Sequence, residues 1–291
     1  MKSIAKKLTS VLLALALVCG LAAVAAHATY GAGTKFVVLG DSIAAGDWAS
    51  DPSKPYARLI ADSRGFELAN HAVGGATSND LLRLLEERAD VVQAIEDADI
   101  INLSIGGNDL LSSNVITLVV RLLFLGDETA ADEYIASFAE NFEVIVPKIR
   151  VLMKPGARFI VQTLYNSMAG VPLVANAYEV AIVKLNQVYY DYLDANQGAY
   201  EIADVYAAFR GREGLIFDDK VHPSDLGHEM IAQVLTAAID GTAPPETLTP
   251  AEPGFFQQIG IFLCALYDYL SYWLSIYPPL ELLGKVFSFI V

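Results

Sequence analysis

Cysteine and positive charge are both scarce in this sequence of 291 residues. Cys19 and Cys264 are its only cysteines, and one of them lies in a predicted signal peptide, so we expect no intramolecular disulfide. A cysteine nucleophile is also disfavoured, because Cys264 lies in an apolar segment without a nearby His or basic residue to stabilise a thiolate. The 19 basic residues stand against 34 acidic ones, and the net charge of −15 excludes nucleic acid as the expected partner.

The N-terminus has the pattern of a secretory signal peptide over residues 1–28. Three lysines in the first seven residues precede an apolar stretch from Val11 to Ala25, and Ala26-His27-Ala28 forms an A-x-A cleavage site. Export is therefore predicted, and removal of the segment would take the net charge to −18, because it holds three lysines and no acidic residue. An uncleaved membrane anchor and lipoprotein processing at Cys19 are the alternatives.

Residues 29–240 alternate short apolar runs with longer stretches of helical periodicity, which predicts an α/β domain with a parallel sheet between helices. A chain of this length accommodates one such domain, with no internal repeat and with appended segments. The predicted strands are Lys35–Leu39, Phe66–His71, Asp99–Ile105, Arg158–Leu164 and Tyr200–Val205. The predicted long helices are Thr129–Lys154, Pro172–Asn196 and a last one that Ser224 or Asp225 caps and that ends near Asp240.

Two further segments follow the domain. Residues 241–254 hold four prolines among small and acidic residues, which is typical of a linker. Residues 255–291 are apolar and aromatic, and the polar positions of 254–276 would lie on one stripe of a helix. An amphipathic helix at the membrane surface or docked over the domain is favoured over a spanning anchor, because Asp268 is costly in hydrocarbon. A plain structural extension is the third alternative.

Polar residues follow the predicted strands at the edge where parallel sheets bind ligands. A serine hydroxyl needs a base to take its proton, and an ester hydrolase also needs donors for the oxyanion. Ser42 follows the first strand and supplies the hydroxyl, with its own N–H as one donor. Gly75 offers an unhindered N–H and Asn108 an amide. His222 is the candidate base, with Asp219 three residues earlier to orient it.

Each of these features alone has an ordinary structural explanation as a helix cap, a turn or a surface pair. Their occurrence together, each after a strand, favours catalysis. His71 and His228 are rival bases, and His71 is more simply explained as the end of a strand. No metal site is predicted from His222 and His228, because their spacing does not place both on one helical face. No cofactor is predicted, since the phosphate-binding glycine motifs are absent.

Four blocks of this sequence resemble the SGNH or GDSL hydrolase family. They are Gly40-Asp41-Ser42-Ile43, with Ile43 in place of the usual Leu, then Gly75, Gly106-Gly107-Asn108-Asp109, and Asp219 to His222. The resemblance spans about residues 35–240. It implies a flavodoxin-like three-layer α/β/α fold with a five-stranded parallel sheet, the triad Ser42, Asp219 and His222, and an oxyanion hole of Ser42, Gly75 and Asn108.

The α/β-hydrolase fold is disfavoured by the sequence around the serine. That fold places its serine in G-x-S-x-G, whereas the sequence here is Gly40-Asp41-Ser42-Ile43-Ala44. The acid also precedes the histidine by only three residues, where the α/β-hydrolase order separates them by a long stretch.

The substrate is predicted to be an ester with an apolar acyl group, such as a lipid or lysophospholipid. The apolar stretch from Leu110 to Leu125 is either an acyl-binding wall or a core helix. The residues predicted to line the opposite side are Tyr165, Met168, Val171 and Tyr178. Deacetylation of surface polysaccharide and a binding module without turnover are the alternatives. The sequence does not determine the oligomeric state.

Overall fold

A computed structural model describes residues 30–111, 121 and 125–248. Its sheet has five strands in the order β2-β1-β3-β4-β5, and every neighbouring pair is parallel. The strands are β1 (Lys35–Gly40), β2 (Glu67–Asn70), β3 (Ile100–Ser104), β4 (Arg158–Gln162) and β5 (Glu201–Ala203). From β1 the chain crosses first to β2 on one side and then to β3 on the other, so the direction of the connections changes at β1. The carboxyl ends of β1 and β3 are adjacent there, with Gly40 paired to Ser104. A ligand site is expected at that edge.

Nine helices connect and cover the strands in the described residues. They are α1 (Ser42–Ala45), α2 (Tyr56–Arg64), α3 (Ser78–Glu87), α4 (Ala89–Asp97), α5 (Gly107–Leu111), α6 (Asp132–Leu152), α7 (Pro172–Ala195), α8 (Val205–Phe209) and α9 (Asp225–Asp240). Helix α9 packs on α2 and α8, whereas α6 packs on α3, α4, α5 and α7. These two groups form the outer layers of a three-layer α/β/α fold.

Alternate residues of the central strands face the two helical layers, because side chains of a strand point to opposite faces. Val37, Leu103 and Val161 are buried in the main apolar cluster with α3 to α7. On the other face, Asn102 Oδ1 accepts hydrogen bonds from the Tyr56 hydroxyl at 2.8 Å and from Gln162 Nε2 at 2.7 Å. The buried Asn102 side chain therefore has hydrogen-bond partners and does not destabilise the fold as an unpaired polar group would.

The predicted α/β class and the three-layer fold are confirmed, and each strand lies within two residues of its predicted bounds. Thr77 and Asp80 form a capping box at α3. Pro55 occupies the N-cap of α2. Its missing N–H costs nothing there, because that position needs no helical donor.

Three predicted segments lie mainly or wholly outside the described residues: the signal peptide at 1–28, the tail at 255–291 and most of Leu110–Leu125. The linker is described only to Leu248. Within the described ranges, no helix has both the length and the apolar character that crossing a membrane requires.

Candidate active site

The turn after β1 positions Ser42. Gly40 has φ of 139°, and a Cβ atom there would lie 1.9 Å from the Ser104 carbonyl oxygen, so only glycine allows this approach of β1 to β3. Asp41 then caps α1 by accepting the Ile43 N–H at 3.1 Å, and its own N–H donates to the Ser104 carbonyl at 3.1 Å. Ser42 therefore begins a short helix at the carboxyl edge of the sheet.

A short hairpin carries Asp219 and His222. Ile216 and Pro223 form an antiparallel bridge, and the Phe217 N–H donates to the His222 carbonyl at 2.8 Å. Asp219 Oδ1 accepts the N–H groups of Val221 and His222, each at 3.0 Å. These bonds form an Asx-type turn. The Asp219 carboxylate therefore both stabilises the hairpin and contacts the His222 imidazole.

Ser42, His222 and Asp219 form a continuous hydrogen-bonded series. Ser42 Oγ lies 2.9 Å from His222 Nε2, and His222 Nδ1 lies 2.5 Å from Asp219 Oδ2. Burial of Asp219 would raise the pKa of its carboxyl, but the hydrogen bonds from His222 and from the Val221 backbone outweigh burial and lower it. The carboxylate is thus held in its charged form, which orients the imidazole with Nδ1 as donor.

Asn108 is joined to the loop of Gly75 through Ala76. Gly75 has φ of 78°, and nothing lies within 4 Å of where its Cβ would be, so its peptide borders open space. Asn108 Nδ2 donates to the Ala76 carbonyl at 3.0 Å, which fixes the amide next to the Gly75 loop. An asparagine amide has two N–H donors, so this bond leaves a second one to face a substrate.

Asp109 secures the position of Asn108, a role that the sequence reasoning missed. Its carboxylate accepts the N–H of Ser78 at 3.0 Å and the Ser78 hydroxyl at 2.5 Å. The Ser78 hydroxyl also accepts from Asn141 Nδ2 at 2.9 Å. This network ties α5 to the start of α3 and to α6, so the amide of Asn108 lies on a rigid support.

Two aromatic contacts with the hairpin of the candidate base were not anticipated. The Tyr165 hydroxyl donates to the Val221 carbonyl at 2.8 Å, and the Tyr165 ring stacks on Phe209 with centroids 4.4 Å apart. Trp48 stacks on the His222 imidazole with centroids 5.5 Å apart. The first holds the hairpin of Asp219 and His222 from the segment after β4, and the second covers one face of the candidate base.

Tyr165, Tyr178 and Val171, which are predicted to line an acyl pocket, are buried. They are 5%, 3% and 6% exposed, and Tyr178 and Val171 belong to the main apolar cluster. Met168 packs against the same cluster while partly buried. Apolar side chains next to a site also fill the core, and here they bridge α7 to the sheet.

The structure pairs Ser42 with His222 and not with either rival histidine. The His71 N–H donates to the Val38 carbonyl at 2.8 Å, as expected at the end of β2. His228 is fully buried in α9, where its ring stacks on Tyr56 and its Nδ1 accepts the Tyr56 N–H at 3.4 Å. Burial lowers the pKa of His228 to about 4, although nearby Asp225 acts in the opposite direction.

We predict that His228 makes the fold sensitive to acid. An unfolded histidine binds a proton near pH 6.5, whereas folded His228 does so only near pH 4. The neutral His228 ring therefore contributes fully to the free energy of unfolding above pH 6.5. About 3 kcal/mol of that free energy is lost as the pH falls toward 4. Urea unfolding should be measured at several pH values for the wild type and His228→Gln. Between pH 6.5 and 4 the variant should lose about 3 kcal/mol less of its free energy of unfolding than the wild type does. Equal losses in the two proteins would contradict the prediction.

The fold and this arrangement at its edge define a class: three-layer ester hydrolases in which serine, histidine and aspartate converge after parallel strands. The chain belongs to the GDSL-like lipase/acylhydrolase family, whose model matches residues 38–230. The predicted family resemblance is thereby confirmed, and membership places the chain among carboxylic ester hydrolases.

Individual relatives agree with this family. YpmR of Bacillus subtilis is 28% identical over 72% of this chain and 82% of its own length. The spore germination lipase LipC of Bacillus licheniformis is 28% identical over 70% of this chain and 95% of its own length. The crystal structure of the lipase Lip_vut3 from a goat rumen metagenome superposes with a TM-score of 0.56 at 25% identity, over 70% of this chain and 97% of that one.

Proposed function

We propose that this chain is a serine ester hydrolase that forms an acyl-enzyme on Ser42. The observation that carries the proposal is the 2.9 Å separation of Ser42 Oγ and His222 Nε2, combined with the bond from His222 to a charged Asp219. A nucleophile, a base and an orienting acid within hydrogen-bond distance are the parts that acyl transfer requires.

In the acylation step, His222 takes the Ser42 proton while Oγ attacks the ester carbonyl. The N–H groups of Ser42 and Gly75 and the second amide N–H of Asn108 stabilise the oxyanion. The imidazolium then gives its proton to the departing alcohol. In the second step His222 takes a proton from water, the hydroxide attacks the acyl carbonyl, and the proton returns to Ser42 as the acid leaves.

We further propose that the natural substrate is a lipid or lysophospholipid ester. The support comes from LipC, a relative described as a lipase, and from an exposed apolar side chain beside the site. Val73, just before the Gly75 loop, is 49% exposed, and its N–H donates to the Gly40 carbonyl near Ser42 at 2.9 Å. Apolar surface at the mouth of a site favours an apolar substrate.

A series of aryl esters from acetyl to long acyl chains tests the function and the substrate class together. A rising kcat/KM with acyl length is expected. Activity on acetyl esters alone would favour deacetylation of polysaccharide instead. A folded protein that hydrolyses none of the esters would indicate a binding module and would contradict the proposed function.

Removal of the Asn108 amide should slow the reaction without unfolding the protein. We expect Asn108→Ala to lower kcat by about 10²- to 10³-fold, because one oxyanion donor is lost. The readout is kcat on a short aryl ester. Asn141→Ala is the matched control, since it removes an amide from the supporting network and not from the oxyanion, and should cost far less. Equal losses of kcat in the two variants would show that Asn108 only supports the site and does not donate to the oxyanion.

We also propose that the enzyme is exported and that residues 255–291 bring it to lipid surfaces. The basis is the sequence pattern of these two segments, which lie outside the described residues. Deletion of 254–291 from the mature chain should leave hydrolysis of soluble short esters unchanged and reduce vesicle binding and activity on dispersed lipid. An equal loss on both substrates would indicate a role in folding.

A further inference from the structure

The indole of Trp48 lies against the face of the His222 ring, away from the atoms that make its hydrogen bonds. Both ring nitrogens are engaged, Nε2 by Ser42 and Nδ1 by Asp219. Hydrogen bonds at ring nitrogens lie near the ring plane, so they resist a tilt of the ring out of that plane less than a shift within it. Trp48 covers one face of the ring, with centroids 5.5 Å apart and planes 29° apart.

The chain holds Trp48 there in a backbone conformation that large side chains rarely adopt. Its φ is 70°, in the left-handed region, which is unfavourable for a residue other than glycine. The segment is fastened on both sides of Trp48. The Asp47 N–H donates to the Ser42 carbonyl at 3.0 Å, and Asp225 accepts both the N–H and the hydroxyl of Ser50.

The same indole also contacts the hairpin that carries the base. Trp48 packs on Phe217 with ring centroids 5.7 Å apart, and the Phe217 N–H donates to the His222 carbonyl. Trp48 therefore joins the segment after the nucleophile to the segment of the base. The ring spans the two parts of the chain whose relative position sets the distance from Ser42 Oγ to His222 Nε2.

We propose that Trp48 is a positioning residue for His222: its stacked indole keeps the imidazole aligned for proton transfer and favours the imidazolium that acylation creates. The inference rests on the proposed serine ester hydrolase function. When His222 takes the Ser42 proton the ring becomes a cation, and an aromatic face beside a cation is attractive. The proton then passes to the departing alcohol, and in the second step the same cation forms again when His222 takes a proton from water.

A different role for Trp48 would be contact with the alcohol part of the substrate, because the indole is 40% exposed. The two roles separate in the kinetics. A positioning residue changes kcat by the same factor for every ester and leaves KM unchanged. A substrate contact changes KM, and does so most for esters with large alcohols.

The experiment compares Trp48→Leu, Trp48→Phe and Trp48→Gly in the mature chain. We expect Trp48→Leu to lower kcat on the order of 10-fold with KM within about twofold, and Trp48→Phe to keep about half of the rate. Glycine suits a φ of 70°, so Trp48→Gly should fold well and yet be as slow as Trp48→Leu. Leu226→Ala, at a side chain that is 57% exposed, is the control and should leave kcat unchanged.

Labelling of Ser42 by a fluorophosphonate-rhodamine probe separates this inference from the proposed function, because it needs no ester. Wild-type labelling that slows in Trp48→Leu and Trp48→Gly and recovers in Trp48→Phe supports the positioning role. If the wild type reacts and Trp48→Leu reacts equally fast, or if Trp48→Phe is as slow as Trp48→Leu, the role is overturned. A wild type that neither labels nor hydrolyses esters would overturn the proposed function and this inference with it.

Discussion

Ser42→Ala should abolish ester hydrolysis, with kcat reduced by about 10⁴-fold or more. The hydroxyl is the only candidate nucleophile within hydrogen-bond distance of His222 Nε2 in the described residues. Alanine retains the Cβ atom and the backbone N–H, so α1 and one oxyanion donor remain. The measurement is kcat on a short aryl ester, together with the thermal midpoint of unfolding.

The matched control is Ser53→Ala, which removes an exposed hydroxyl that bonds only to Asp51 among the contacts of the described residues and should leave kcat unchanged. A fold defect is separated from a chemical one by the thermal midpoint, which should stay within a few degrees in both variants. Turnover like that of the wild type in folded Ser42→Ala would rule out the acyl-enzyme mechanism.

Asp219→Asn should lower kcat by about 10³- to 10⁴-fold while the hairpin stays intact. The amide oxygen can still accept the N–H groups of Val221 and His222, as Asp219 Oδ1 does. Its NH2 group, however, replaces the acceptor at His222 Nδ1. The imidazole is then driven toward the wrong tautomer and its cation loses a buried counter-charge.

The adjacent Asp218 offers the control, because it is exposed and belongs to the same hairpin. Asp218→Asn makes the same change in charge and should alter kcat less than twofold. Equal losses in the two variants would show that only the overall charge of the hairpin matters, and would refute the orienting role of Asp219.

The sheet could be predicted from the sequence because its central strands are buried on both faces. Buried runs such as Phe36–Leu39, which is wholly apolar, and Ile100–Leu103, which is apolar except for Asn102, therefore stand out from helical periodicity. The candidate triad followed from the same reasoning, since parallel strands bring the segments after them to one edge. The structure does place Ser42, His222 and Asp219 within hydrogen-bond distance of each other in series.

The supporting residues could not be predicted, for reasons specific to each. The left-handed conformation of Trp48 has no local signal, because glycine or asparagine normally marks such a position. The bond from Tyr165 to the Val221 carbonyl joins residues 56 positions apart. Burial raises the pKa of Asp41 to about 7 against the opposing hydrogen bond from the Ile43 backbone. Such effects depend on tertiary burial, which residue type alone does not specify.

The two hydrogen bonds of the His222 imidazole close loops of very different length. Asp219 is three residues from His222, whereas Ser42 is 180 residues away. The first contact can form as soon as the hairpin turns, because closing a short loop costs little entropy. The second requires β1 and α9 to be in place on the assembled sheet. The rate at which Ser42 reactivity returns during refolding therefore reports when the whole domain is complete. That recovery should be later than the recovery of the helical circular dichroism signal.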